Sequence, residues 1–190
     1  MNLILRHFAT TAFLLSLSFA EGQGDNQYTK TVDDMMTRMR GVKMSGSFDA
    51  DFARLMIEHH QGAIELAQAY LQKGSDAELK EEAQQLITKR KKQQKQLDIF
   101  TKAKGPAGSQ EIMGVMDKMT SRVRSLKSSG NVNRDYAMLM IVHHDAGIEI
   151  AKLQSARGQN AALKKMAADM AEDQRQSRER LQQWLGTSRK

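Results

Sequence analysis

The sequence predicts an all-α protein: an antiparallel four-helix bundle built from two tandem repeats, with two short accessory helices. The first observation is an internal repeat, because a shift of 84 residues aligns the two halves of the 190-residue chain without a gap. Between residues 51–68 and 135–152, ten of the eighteen positions are identical. The second observation is that apolar residues recur at helical spacing and strand patterns are absent. The third is Pro106, the only proline, which lies at the junction of the repeats.

Each repeat is predicted to contain one short helix, one helix that carries a pair of histidines, and one long closing helix. The expected bounds of the short and closing helices are 31–44, 76–102, 111–127 and 160–185. Gly74 and Gly158 lie where the two double-histidine helices should end. The candidates for the N-caps of these helices are short polar residues near their starts, namely Asp49, Asp51, Asn133 and Asp135.

The first twenty residues differ from the rest of the chain. Arg6 and His7 precede the apolar run FATTAFLLSLSFA, which predicts a secretory signal cleaved after Ala20. A membrane anchor is the less favoured alternative, because the run is shorter than the roughly 20 residues of a membrane span. We expect residues 21–30 to be disordered and residues 31–187 to form one domain, with repeat one at about 31–104 and repeat two at about 111–187. The prediction is a periplasmic or secreted protein with no membrane span after cleavage.

The chain has no cysteine, so neither a disulfide nor a thiolate ligand is available. Its net charge is +7, and much of the excess lies in TKRKKQQKQ, residues 88–96. We interpret this run as the solvated face of a helix, and export argues against a nucleic-acid partner.

The repeated segments LMIEHHQGAIELA (55–67) and LMIVHHDAGIEIA (139–151) carry the most informative residues. On a helical wheel of ~100° per residue, His59 falls in the middle of the apolar face and His60 toward its edge. Met56 lies one turn before both histidines. Repeat two has the same arrangement in Met140, His143 and His144. Four imidazoles and two thioethers are therefore expected to face the interior of the bundle or its margin.

A buried imidazole requires a partner, and a carboxylate or a carbonyl would be the ordinary one. Adjacent histidines diverge by ~100° on one helix, but two packed helices can close a metal site between them. Glu65 and Glu149 fall on the polar faces, and no Glu-x-x-His pair occurs, so a carboxylate-bridged di-iron site is not predicted. Imidazole suits copper, zinc and nickel, and thioether sulfur shifts the preference toward Cu(I) and Ag(I). The candidate metal ligands are His59, His60, His143, His144, Met56 and Met140.

The remaining methionines are more often core filler than ligands at helical spacing. Those spaced to share a face of the short helices are Met35, Met39, Met113, Met116 and Met119. If the short helices cover the histidines, these thioethers add soft ligands to the site.

The MIEHHQGAIELA and MIVHHDAGIEIA segments, with DQRQSRERLQQWLG near the C-terminus, resemble the DUF305 family of small exported bacterial proteins. The resemblance implies a ferritin-like bundle and periplasmic binding of copper or silver. Relatives commonly have methionine at three positions that are occupied here by Leu66, Ile150 and Leu181.

The leading hypothesis is an exported metal-binding protein that sequesters or delivers a soft ion such as Cu(I) or Ag(I), with zinc as a further candidate. The alternative is a non-catalytic structural or protein-interaction module without a physiological metal. An enzyme is not predicted, because neither an activated nucleophile nor a glycine-rich phosphate loop accompanies the histidines. The sequence leaves open whether the chain forms a homodimer or binds a periplasmic partner protein.

Overall fold

A computed structural model describes residues 23–106 and 108–188, and its only regular elements over these ranges are α-helices. The all-α prediction is confirmed. The six helices are α1 (Gln23–Gly41), α2 (Phe48–Lys73), α3 (Ala77–Asp98), α4 (Gln110–Ser125), α5 (Val132–Arg157) and α6 (Ala161–Thr187).

The helices form two equivalent units in which corresponding features are 84 residues apart. Short loops, at residues 74–76 and 158–160, join α2 to α3 and α5 to α6, so each pair is an antiparallel hairpin. The centre of the bundle is the pair α2 and α5, and each of these helices contacts the other, its own hairpin partner and one accessory helix. Helices α1 and α4 also contact each other. This environment explains why α2 and α5 bury side chains on several faces.

The starts of α2 and α5 differ from the expectation. Ser47 and Asn131 are the N-caps, and their side chains accept hydrogen bonds from the backbone N–H groups of Ala50 and Arg134. The chain turns just before each cap at Gly46 and Gly130, whose φ angles of +81° and +74° suit glycine. The four predicted cap residues therefore lie inside the helices and bind other groups.

Asp49 and Asn133 instead join the two repeats. The buried Asp49 carboxylate accepts hydrogen bonds from the Gln154 side chain (2.6 Å) and from the backbone N–H of Asn160 (2.9 Å). The Asn133 side-chain oxygen accepts equivalent bonds from the Tyr70 hydroxyl and from the backbone N–H of Ser75, at 2.9 and 3.0 Å. Each residue lies in the first turn of a central helix and accepts hydrogen bonds from the hairpin loop of the other repeat. We call these two sets of bonds the cross-repeat clamps.

The clamps define how the two central helices run. Asp49 near the start of α2 contacts Gln154 near the end of α5. Tyr70 near the end of α2 stacks on Tyr136 near the start of α5, with ring centroids 4.1 Å apart. Helices α2 and α5 are therefore antiparallel, and their midpoints face each other.

Helix α1 begins at Gln23, within the segment 21–30 that the sequence predicted to be disordered. The early start has a packing reason, because Tyr28 is buried with its ring 6.5 Å from that of Tyr136. Arg38 also ties α1 to α2 through ion pairs with Glu58 and Glu65. The predicted signal, residues 1–20, lies outside the described residues. Among the helices that the structure describes, none is both long and apolar enough to cross a membrane.

We expect the substitution Asp49→Ala to lower the free energy of unfolding by about 3 kcal/mol, because it leaves buried hydrogen-bond donors of repeat two without an acceptor. Asp117→Ala is the matched control, since it removes an exposed carboxylate paired with Arg40 and should cost less than about 1 kcal/mol. Urea unfolding followed by circular dichroism measures both changes. Equal losses in the two variants would show that the clamp contributes no more than a surface ion pair.

Candidate metal centre

The structure brings one histidine from each pair into contact at the middle of the bundle. His59 on α2 and His143 on α5 face each other, with ring centroids 4.0 Å apart and an angle of 32° between the rings. The centroid distances within each pair are longer, 6.1 Å from His59 to His60 and 6.2 Å from His143 to His144. All four side chains are essentially inaccessible to solvent. The antiparallel pairing of α2 and α5 produces this arrangement, because each histidine pair lies halfway along its helix.

None of the eight ring nitrogens has a hydrogen-bond partner among the described residues. A neutral imidazole carries one N–H donor and one lone-pair acceptor, and a protein normally satisfies both when the ring is buried. The ordinary carboxylate or carbonyl partner is therefore absent from the described part of the chain by standard hydrogen-bond geometry, although the Gln174 amide faces His144 and the backbone of His59 faces His143. Four buried rings without partners carry a free-energy cost, which is typical of a site that receives a ligand.

All four histidines are held in the neutral form. Burial, and after it the positive charge of Arg90, lowers the pKa of His143 to about 3. Burial is also the main reason why the pKa values of His59, His60 and His144 lie well below the ordinary value of 6.5. At neutral pH each ring consequently keeps one nitrogen lone pair that can bind a metal ion.

Buried thioether groups lie on, or pack against, the two helices that carry the histidines. Met56 and Met140 are completely buried and precede the first histidine of each pair by three residues. A third thioether comes from α1, where the Met35 side chain packs directly against Gly62, one turn after His59. Only a glycine at position 62 admits this contact, since the sulfur occupies the space of a Cβ. Met35 was predicted to be core filler or, if the short helices cover the histidines, an added soft ligand; its side chain packs against the helix that carries His59.

The nitrogen donors alone do not form a closed metal site. No group of three or more histidine, aspartate or glutamate side chains in residues 23–106 and 108–188 is placed to hold a metal ion. Glu65 is engaged by Arg38 at 2.9 Å, and Glu149 is exposed, in line with their predicted polar faces. The donors that remain are imidazole nitrogen and thioether sulfur. This chemistry fits a soft ion of low coordination number better than a hard cation.

Two buried polar residues near the histidines were not foreseen from the sequence. Arg90 on α3 is only 2% exposed and binds Asp173 on α6 at 2.8 Å. Gln174, 84 residues later, is fully buried against Gly147 on α5 and faces His144, but its amide makes no hydrogen bond of ordinary geometry. The interpretation of residues 88–96 as a solvated face is right for the exposed lysines and wrong for Arg90. The sequence did indicate that Arg90 is buried, because it follows the buried Leu79, Ala83 and Ile87 at helical spacing.

These features define a class of protein: an α-helical bundle with duplicated central helices, each carrying a buried histidine pair, where one histidine of each pair contacts the other. A family model described as "Domain of unknown function (DUF305)" matches residues 16–101 and again residues 99–185. The chain therefore belongs to the DUF305 family and contains two copies of its domain. The resemblance found in the sequence is confirmed, with two tandem matches of the family model.

Solved structures of similar fold include CopM in three forms. CopM in the Ag-bound form obtained by soaking is 22% identical, with a TM-score of 0.58. CopM in the Cu(I)-bound form and in the apo form are each 23% identical, with TM-scores of 0.57. Each alignment covers 75% of this chain and 98% of that chain. At this identity the likeness shows a shared fold. No curated protein matches the chain.

The pKa values predict how the stability of the metal-free protein depends on pH. Below about pH 6.5 the histidines of the unfolded chain take up protons and those of the folded chain do not, so stability decreases as the pH falls. Each histidine contributes a slope of up to about 1.4 kcal/mol per pH unit between its unfolded and folded pKa values. Urea unfolding at pH 7.5, 6.5 and 5.5 should show this loss. The variant His143→Leu should show a shallower slope, and an unchanged slope would contradict the neutral, buried state of His143.

Proposed function

We propose that the protein is an exported metal-binding protein that sequesters or delivers a soft monovalent ion, Cu(I) or Ag(I). The observation that carries the proposal is the contact between the His59 and His143 rings in a core where eight ring nitrogens have no partner. The proposed ligands are those predicted from the sequence: His59, His60, His143, His144, Met56 and Met140.

In this proposal each of the two central helices supplies its own ligands to the ion. Each helix contributes imidazole nitrogen from one histidine pair, since neighbouring histidines on one helix diverge too far to share an ion easily. Met56 and Met140 add sulfur from the preceding turns, which favours Cu(I) and Ag(I) over zinc. The neutral rings can bind the ion without first losing a proton. Because the site is buried, release requires the bundle to open, and slow release suits sequestration.

The comparisons support the choice of ion. CopM shares the fold and has been crystallised in Ag-bound and Cu(I)-bound forms. Three family methionine positions are occupied here by Leu66, Ile150 and Leu181, all buried as ordinary core residues. The sulfur available to an ion in this chain is therefore reduced, and the proposal assigns correspondingly more of the binding to the imidazoles. Localisation in the periplasm or outside the cell rests on the signal predicted at residues 1–20.

The test compares binding of Ag(I) to the protein and to the double variant His59→Leu/His143→Leu. Leucine fills similar space without nitrogen donors, so the fold should persist while Ag(I) affinity falls by at least about a hundredfold, as expected from the loss of two direct ligands. Competition titration measures the affinity. The melting temperature provides a second readout, because an ion that binds only the folded state raises it by mass action.

Met44→Leu is the matched control. Met44 is an exposed thioether on the loop before α2, and its loss should leave Ag(I) binding unchanged. If the double variant binds Ag(I) as tightly as the parent, the ligand assignment is wrong. If Ag(I) raises the melting temperature of neither protein, the histidines have a structural role, and the protein is a helical interaction module without a metal.

A further inference from the structure

Arg90 places a positive charge deep inside the bundle, at the inner end of an ion pair whose carboxylate lies nearer to solvent. The guanidinium is 2% exposed and binds Asp173, whose carboxylate also binds the half-exposed Lys89. The pair is neutral as a whole, but its two charges are separated, because the guanidinium is 2% exposed and the carboxylate 13% exposed. Burying an arginine is costly even when it is paired, and a purely structural link between α3 and α6 would not require it. The pair of Arg180 with Glu82 already links these two helices.

The cluster lies beside the histidines. Arg90 corresponds in repeat one to Gln174 in repeat two, and Gln174 packs against Gly147, one turn after His144. Asp173, which anchors Arg90, is the residue next to Gln174, so Arg90 reaches across to the same turn of α6. The charge of Arg90 acts on all four imidazoles and lowers the pKa of each. At the equivalent position repeat two presents a neutral amide.

We propose that Arg90 determines the charge selectivity of the metal centre, so that a monovalent ion binds in preference to a divalent one. This inference rests on the proposed function. The electrostatic repulsion between Arg90 and a bound ion is proportional to the charge of the ion, so a divalent ion is penalised twice as strongly as a monovalent one. Burial strengthens the effect, because water and salt do not screen it. Arg90 therefore acts through its charge and not as a ligand.

The experiment measures the affinities of Ag(I) and Zn(II) for the protein and for charge variants, and compares the ratio of the two affinities. Arg90→Gln gives repeat one the side chain found at position 174, and it should shift the ratio toward Zn(II) by about tenfold. Arg90→Lys keeps the charge and should retain the parental ratio. Asp173→Asn leaves the charge of Arg90 without its carboxylate and should shift the ratio in the opposite direction, toward Ag(I).

Lys89→Gln is the matched control, because it removes a cation bound to the same carboxylate but exposed to solvent. Screening by water should make its effect on the ratio much smaller than that of Arg90→Gln. Circular dichroism verifies that each variant is folded. If Arg90→Gln does not fold, the other variants test the proposal: a shift toward Ag(I) in Asp173→Asn together with the parental ratio in Arg90→Lys supports it.

Two outcomes would overturn the inference, and they differ from failure of the proposed function. If Arg90→Gln weakens or strengthens both ions by the same factor, Arg90 only supports the fold. If Asp173→Asn leaves the ratio unchanged or shifts it toward Zn(II), the charge does not act on the ion. If the parent protein binds neither ion, the metal-binding function itself is wrong, and the selectivity inference fails with it.

Discussion

The cross-repeat clamps are the constraint on which the rest of this structure depends. Asp49 and Asn133 each lie in the first turn of a central helix and accept hydrogen bonds from backbone N–H groups in the hairpin loop of the other repeat. Two such bonds, at opposite ends of α2 and α5, fix these helices as an antiparallel pair and prevent one from sliding along the other. A slide of one turn would move the helices by about 5.4 Å, which exceeds the 4.0 Å between the His59 and His143 rings. The register that satisfies the loops is therefore the register that places the histidines opposite each other.

This rigid frame allows the centre to contain groups that do not stabilise the fold. Eight ring nitrogens without partners and a buried arginine are unfavourable in a metal-free protein. The surrounding layers offset these costs through apolar packing, through the stacked rings of Tyr70 and Tyr136, and through the clamps. Binding sites commonly retain such locally unfavourable groups, since a side chain that is fully satisfied within the protein has nothing left to offer a ligand. The polar centre is consistent with a protein whose folded state is completed by an ion.

Much of this arrangement could be predicted from the sequence, and the parts that could not share a physical reason. Helical periodicity and the 84-residue repeat are local signals, and they placed His59 and His143 on the inner faces of paired helices. The role of Asp49 depends on Asn160, which is 111 residues away, and a sequence motif near a helix start cannot indicate such a partner. Helix α1 starts early because Tyr28 finds a ring on a distant helix. The burial of Arg90 was missed for a different reason: the neighbouring lysines made residues 88–96 read as a solvated face, although Arg90 lies on the buried stripe of α3.

The divergence between the repeats makes the surroundings of the two histidine pairs different, although the frame that holds them is symmetric. Each repeat has one glycine in the turn after its histidine pair, but Gly62 admits the Met35 thioether from α1, whereas Gly147 admits the Gln174 amide from α6. Beyond Met56 and Met140, which the repeats share, repeat one adds the Met35 thioether and the Arg90 charge, and repeat two adds the neutral amide of Gln174. If the two halves had remained identical, an ion near the axis between them would meet either two arginines or none. In the proposed metal centre, one arginine gives an intermediate repulsion, which would weaken binding of a divalent ion more than that of a monovalent ion.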